Sequence, residues 1–249
     1  MIFGAITNSW RQQLDGKDLA VLVQEAQTRG ARHIELRQTC LGQYEHGEGE
    51  HWRPVLSRLA GLVQAFPALT FDLAMAWPCL TRHTDPADFE RPWETLADLP
   101  PAALSVADLA REAARQGVIL SLENSGQPIR SMALVVEAAR GRLTPDEGTY
   151  LGLCPDPTNQ LRRYPDSDPL AELEALPADM IKIVHFKQAR NGRAHPSVDT
   201  GDLDCARMLH ILKAKGFQGA AVMEIPPDEH VFDHLAASFA FLEATAGGR

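Results

Sequence analysis

The sequence predicts an α/β fold, most simply a single (β/α)8 TIM barrel spanning residues 1–249. Three observations carry that expectation. Short apolar runs alternate with amphipathic stretches of helical length along most of the chain, the pattern of repeated βαβ units with parallel strands. The chain has 249 residues, 45% hydrophobic and 23% charged, the size and composition of one such barrel. No GxGxxG or P-loop sequence follows the first apolar run, which weakens the alternative of a doubly wound open sheet that binds a nucleotide.

The elements follow in order. "IFGAI" at 2–6 reads as the first strand. Residues 17–30, "KDLAVLVQEAQTRG", read as a helix, because Leu19, Leu22, Val23 and Ala26 recur at helical spacing and Gly30 supplies a stop. "RHIELR" at 32–37 is the second strand. The clearest helical stripe comes next, formed by Val55, Leu56, Leu59, Leu62, Val63 and Phe66. "LTFDLAMAW" at 69–77 is the third strand. The proline-rich stretch 78–104 contains no convincing strand and predicts a loop with one or two short helices. Either a weak strand hides there, or one βα unit is degenerate or missing. Regular alternation then resumes with a helix over 105–117, for which Ser105 is a plausible N-cap. Strands are predicted at 118–123, 149–154, 180–186 and 219–225, and helices at 131–141, 168–176, 203–216 and 231–246. That makes seven good strands, three early and four late.

Bulk properties exclude several classes. The formal net charge is −9, and the densest basic pair, Arg162 and Arg163, extends into no basic run, so a nucleic-acid partner is not expected. The 4 cysteines, Cys40, Cys79, Cys154 and Cys205, form no CxxC pair, which suggests neither a disulfide framework nor a zinc knuckle. The start "MIFGAITNSW" lacks a basic region and a long apolar core, so no signal peptide is expected. No apolar run approaches the ~18 residues of a membrane span. A reducing cytoplasm is the expected location.

In a parallel barrel, function gathers where strands end and the βα loops begin. Glu123, Asp156, His185 and Glu224 all stand at or just after the ends of the last four strands. Consecutive strands are neighbours, so these side chains are able to converge on one rim. The set is oxygen-rich with one imidazole, which suits Mn²⁺, Mg²⁺, Co²⁺ or Zn²⁺ better than a thiolate-preferring ion. Each residue alone has a plainer reading. A strand-end glutamate serves as a salt-bridge partner, Asp156 in "PDPTN" starts an Asx-turn, and His185 hydrogen-bonds a carbonyl. Recurrence on four consecutive strands is what favours a metal site.

The segments "HIELR", "LSLENS", "LGLCPDPTN", "IVHFKQ", "VDTGDLD" and "AVMEIP", in that order, resemble the motifs of the xylose-isomerase-like TIM barrels. These form the sugar phosphate isomerase/epimerase superfamily, which also includes the endonuclease IV type. The resemblance covers most of the chain, strongly from 105 to 245. It implies a metal set of Glu, Asp, His and Glu on successive late strands, which falls here on Glu123, Asp156, His185 and Glu224. It further implies a metal-dependent isomerase or epimerase acting on a small sugar, sugar phosphate or keto-polyol through an enediolate. Glu123 and Glu224 would each double as ligand and acid/base, on opposite faces of the substrate. Asn159 resembles the asparagine that follows the aspartate ligand in the family.

Further substrate-binding candidates are weaker. Arg37 in "HIELR" could meet a substrate hydroxyl or phosphate, and pairs equally well with Glu35 or another acid. Lys187 could neutralise developing charge, or be a solvated loop lysine. Arg193 and His195 in "ARNGRAHPS" lie in the loop after the seventh strand, where a phosphate or sugar hydroxyl could be met. Trp77, at the end of the third strand, could stack on a sugar face or pack in the barrel. Trp10 and Trp52 are similar with less reason. Two departures from the family pattern matter. The front half looks about one βα unit short, in the region that shapes the substrate pocket. The chain has 9 histidines, but His33, His46, His51 and His83 form no endonuclease IV-like motif, and the acidic balance argues against DNA. The expected partner is thus a small carbohydrate, with no nucleic acid and no membrane, and a homo-oligomer stays open. Two alternatives remain: a keto-inositol-type dehydratase, since the same enediolate can expel a β-hydroxyl, and a non-catalytic metabolite-binding barrel.

Overall fold

The computed structural model describes residues 1–76 and 85–247. Eleven strands run along them: β1 Ile2–Ile6, β2 His33–Arg37, β3 Glu45–His46, β4 Arg53–Pro54, β5 Thr70–Ala74, β6 Leu120–Glu123, β7 Leu151–Cys154, β8 Ile183–Phe186, β9 Gln188–Arg190, β10 Arg193–His195 and β11 Ala220–Met223. All seven strands expected from the sequence are among them, as β1, β2, β5, β6, β7, β8 and β11. The other four are two short antiparallel ribbons in the loops, β3 with β4 and β9 with β10. Two-residue and three-residue strands carry too little periodicity to be read from sequence. The chain divides into two compact units, one of Met1–Ala76, Phe186–Leu209 and Ala220–Arg249, the other of Trp77–His185 and His210–Gly219. Among the described residues no helix is long and apolar enough to cross a membrane.

In the first unit β5, β2, β1 and β11 lie side by side in that order, all parallel. Gly4 sits where β1 meets both neighbours, level with His33 and Val222. A Cβ there would stand 2.8 Å from the His33 carbonyl oxygen, so only glycine allows this approach. The helix Leu19–Thr28 buries the four residues that its periodicity singled out, and Asp18 caps it by accepting from the Ala20 N–H at 2.8 Å. The closing helix Val231–Gly247 buries Val231, Leu235, Phe239 and Leu242, with Phe239 stacked on Phe3 of β1. The helix Leu56–Ala65 also forms, but its apolar stripe is covered only in part. Leu62 and Phe66 are buried, while Leu56 is 73% exposed and Val63 43%. Periodicity establishes that such a helix exists, whereas its coverage depends on what packs beside it.

In the second unit β6 and β7 are parallel, with Glu123 level with Cys154. Leu153 of β7 bridges to Ile181 just before β8. Gly152 is required where Met180 and Lys182 cross, since a Cβ would meet the Met180 carbonyl oxygen at 2.4 Å. The helix Ile129–Arg140 supplies the main apolar face, burying Ile129, Met132, Val135, Val136 and Ala139. Residues 85–105 hold three 3-10 turns, Pro86–Phe89, Leu96–Asp98 and Pro101–Ser105, and no strand among the described residues. The anchor of this segment is Trp93, fully buried, whose backbone N–H and C=O both bond the Ser131 hydroxyl. Ser105 departs from its expected role. It precedes the helix Val106–Arg115, but its hydroxyl donates back to the Ala102 carbonyl at 2.7 Å and caps nothing. The 3-10 turn running into the helix places Ser105 in a helical conformation, where its side chain bonds backward instead.

Candidate metal centre

The second unit brings three of the expected ligands together. Glu123 ends β6, Asp156 follows β7 and His185 lies in β8. Among the described residues Glu123, Asp156 and His185 each offer a ligand atom within 4.8 Å of the others. Asp156 is 0% exposed and His185 2%, whereas the Glu123 side chain keeps 38% exposure. His185 Nδ1 stands 3.4 Å from Glu123 Oε1.

Local hydrogen bonds explain why the backbone delivers them there. Asp156 caps the helix Pro157–Arg163, accepting from the Asn159 N–H at 2.8 Å, with Pro157 preset for the first turn. That helix was not expected from the sequence. Asn159 Nδ2 then donates to Glu123 Oε1 at 3.0 Å, so one residue ties together the loops of two ligands. Asn124, 2% exposed, adds a reciprocal pair: Asp156 N–H donates to its Oδ1 at 2.7 Å and its Nδ2 donates to the Asp156 carbonyl at 2.9 Å. His185 is placed by its own N–H, which donates to the Pro155 carbonyl at 3.1 Å.

The donor set fits a divalent cation. Two carboxylates this close repel, and one of them is wholly removed from water, so a cation among them relieves both costs. Two carboxylates and an imidazole match a hard or borderline ion.

The first unit holds the fourth residue. Glu224 follows β11 directly, its N–H donating to the Phe186 carbonyl at 3.0 Å. Lys187 Nζ meets Glu224 Oε2 at 2.6 Å, and Asn8 Nδ2 donates to Oε1 at 2.9 Å. Both side chains of the ion pair are largely buried, so Lys187 is no solvated loop lysine. Arg37 ends β2, its N–H donating to the Thr7 hydroxyl at 2.8 Å. Its Nη1 is buried and bonds no described residue. Arg193 lies exposed on β10, opposite Arg190. The ring of His195 bonds the Ser197 carbonyl at 3.1 Å. No hydrogen bond or ion pair among the described residues joins Arg193 or His195 to Glu224, Lys187 or Arg37. Trp77 falls outside the described residues. Trp10 is 0% exposed against Phe232, and Trp52 is 4% exposed and donates to Glu45, so both are packing residues. Asn8 and Asn124 were missed as site residues. The available signal was an asparagine within two residues of a strand end, in "ITNSW" and "LENS".

No curated protein matches the chain by sequence. Solved structures do match in fold. A probable 3-DHS dehydratase, AsbF of Bacillus anthracis, is 14% identical, with TM-score 0.68 over 98% of this chain and 99% of its own. A D-psicose 3-epimerase of Clostridium cellulolyticum H10, solved with D-tagatose, is 13% identical with TM-score 0.66, over 98% and 99%. The IOLI protein with a bound zinc atom is 14% identical with TM-score 0.63, over 99% and 96%. The model of one family, the xylose isomerase-like TIM barrel, matches residues 87–244, which include Glu123, Asp156, His185 and Glu224. By that match and the shared fold, the chain belongs to the xylose isomerase-like TIM barrel family.

Proposed function

We propose that the protein is a divalent-metal-dependent isomerase or epimerase of a small sugar, sugar phosphate or keto-polyol. The observation that carries this is the convergence of Glu123, Asp156 and His185 within 4.8 Å. In this reading those three and Glu224 hold one ion: Mn²⁺, Mg²⁺, Co²⁺ or Zn²⁺. Support comes from the family's fold being shared with a D-psicose 3-epimerase and with a zinc-binding protein. A bound ion supplies positive charge where substrate oxygens become negative.

The chain's own residues supply the proton transfers. One of Glu123 and Glu224 removes a proton from the carbon beside the carbonyl, and the other returns a proton on the opposite face. Asn8 and Lys187 fix the Glu224 carboxylate from two sides, so its lone pairs have a set direction. Lys187 also offsets negative charge on the substrate. Arg37 Nη1 is a buried donor with no described partner and suits a substrate oxygen. Arg193, His195 and Trp77 complete the substrate contacts in this reading.

The test is elemental analysis of purified protein, joined to proton exchange in D₂O over keto- and aldo-sugars with and without phosphate. We expect about one divalent ion per chain, as a single set of four ligands would hold in this reading, and exchange of the proton beside the carbonyl. His185→Ala should lose most of the ion. A wild-type metal content in that variant would sink the ligand assignment. Release of water from a keto-inositol would favour the dehydratase, and tight sugar binding without exchange the non-catalytic barrel.

A further inference from the structure

We propose that Asn8 is a specificity residue that accepts a hydrogen bond from a substrate hydroxyl through its Oδ1. The proposal rests on the reading of Glu224 as part of the catalytic centre. Asn8 lies two residues beyond β1, which sits between β2 and β11, so its loop opens at the same strand ends as Arg37 and Glu224. Its amide has a determined orientation. Glu224 is ion-paired with Lys187 at 2.6 Å, and an ionised carboxylate only accepts hydrogen bonds. The group 2.9 Å from Glu224 Oε1 is therefore the NH₂, and Oδ1 faces away from that carboxylate.

That oxygen is buried, and no described residue donates to it. The hydroxyl of the next residue, Ser9, donates instead to the Ile225 carbonyl at 2.6 Å. A buried acceptor in a working site calls for a donor from the ligand. The oxygens of phosphate and carboxylate ions only accept, so neither suits this position. A sugar or polyol hydroxyl does. One end of the amide thus orients the catalytic carboxylate while the other reads a hydroxyl, which couples substrate choice to proton transfer.

The experiment pairs protein variants with deoxy ligands, using Mn²⁺-loaded protein. D-Tagatose and L-ribulose are compared with their 3-, 4- and 5-deoxy analogues, by calorimetric binding and by D₂O exchange. In the wild type, one deoxy position should weaken binding on the order of ten-fold, the worth of one hydrogen bond to a buried group. Asn8→Leu, similar in shape, should erase that preference. Asn8→Gln keeps an amide that donates to Glu224 and accepts from the hydroxyl, and should retain part of it. Metal content and circular dichroism confirm that both variants fold and load, and if Asn8→Leu does not, Asn8→Ser takes its place. Exchange by Asn8→Leu with the full deoxy preference intact overturns the proposal and leaves the proposed function standing. Hydroxyl-selective, Asn8-dependent binding without exchange supports the proposal and overturns the function. Failure of the wild type to bind either ketose overturns both.

Discussion

Each of the strand-end acids Glu123, Asp156 and Glu224 is held by an asparagine. Asn8 donates to Glu224, Asn159 donates to both Glu123 and its own loop, and Asn124 brackets the backbone of Asp156. An amide orients a carboxylate without cancelling its charge, so the oxygens remain good ligands and bases. Lys187 is the exception, because its ammonium sets a positive charge against Glu224. This asymmetry makes Glu224 the informative substitution. Glu224→Gln preserves size and one oxygen but removes the base, so exchange of a confirmed substrate should fall on the order of 10²–10⁴-fold. Metal content has to be measured beside it, because glutamine is a poorer ligand. Wild-type exchange with metal retained would leave Glu224 as a ligand only, and Lys187 or His195 would be the next base to test. Of the three asparagines, Asn159 was legible through a motif. The other two resembled ordinary turn formers, because asparagine after a strand usually closes a local Asx-turn. Their partners lie 32 and 216 positions away, and nothing local encodes that.

At the scale of elements, strands place the chemistry, and most helices cover them while the short helix Pro157–Arg163 steadies Asp156 and Glu123. All seven long strands contribute their C-terminal ends to loops that carry candidate residues, and strand period explains why these ends could be found in advance. Close approach between strands is the fine adjustment. His33 is held by Thr70 at 2.9 Å and Asp72 at 3.3 Å, so it has little room to yield to a side chain on Gly4. Gly4→Ala should therefore destabilise the fold by about 1–3 kcal/mol, the usual cost of overpacking. Denaturant unfolding checks this. It should also weaken metal-dependent exchange, since β1 positions Asn8. A change within experimental scatter would mean that β1 and β2 shift apart without cost. The helix Leu56–Ala65 teaches the opposite lesson, because its stripe was the cleanest in the sequence and only Leu62 and Phe66 of it are buried. A pattern of apolar residues states a capacity for burial, and neighbours decide whether it is used.

Across the whole molecule, the charge balance sets one testable pH dependence. Burial, with a smaller contribution from nearby Arg140, pulls the Lys182 ammonium below its ordinary value of 10.5. A base whose folded pKa is lowered binds fewer protons in the native state than in the unfolded one. Stability contributed by this group therefore rises with pH between the lowered value and 10.5. Below that window the penalty of holding the charge is fully present. Lys182→Met keeps the aliphatic stem against Gly152 and removes the charge, so it should raise the melting temperature at pH 7. The gain should shrink as pH approaches 10.5. The net charge of −9 opposes loss of a cation, but charges spread over a surface are screened beyond ~8 Å, so local burial wins. Equal melting curves at pH 7 would contradict the argument, and so would a gain that does not vary with pH.

The sequence by itself determined the strands, the helices between them, and the residues at the strand ends, because those follow from periods of two and 3.6 residues and from residue chemistry. It marked Glu123, Asp156, His185 and Glu224 by their place in that order. It also marked 78–104 as the irregular unit, and the described part of that segment is three 3-10 turns pinned by Trp93. Only the tertiary structure decided which polar groups are partnered. It gave Lys187 to Glu224, buried Arg37 Nη1 away from any described acceptor, turned Ser105 away from its helix, and set the Asn8 amide against Glu224 with its oxygen buried. The physical reason is reach. Periodicity is a local property of the chain, whereas a hydrogen bond lasts only where folding brings together a donor and an acceptor, 216 positions apart for Asn8 and Glu224, within about 3 Å and out of water.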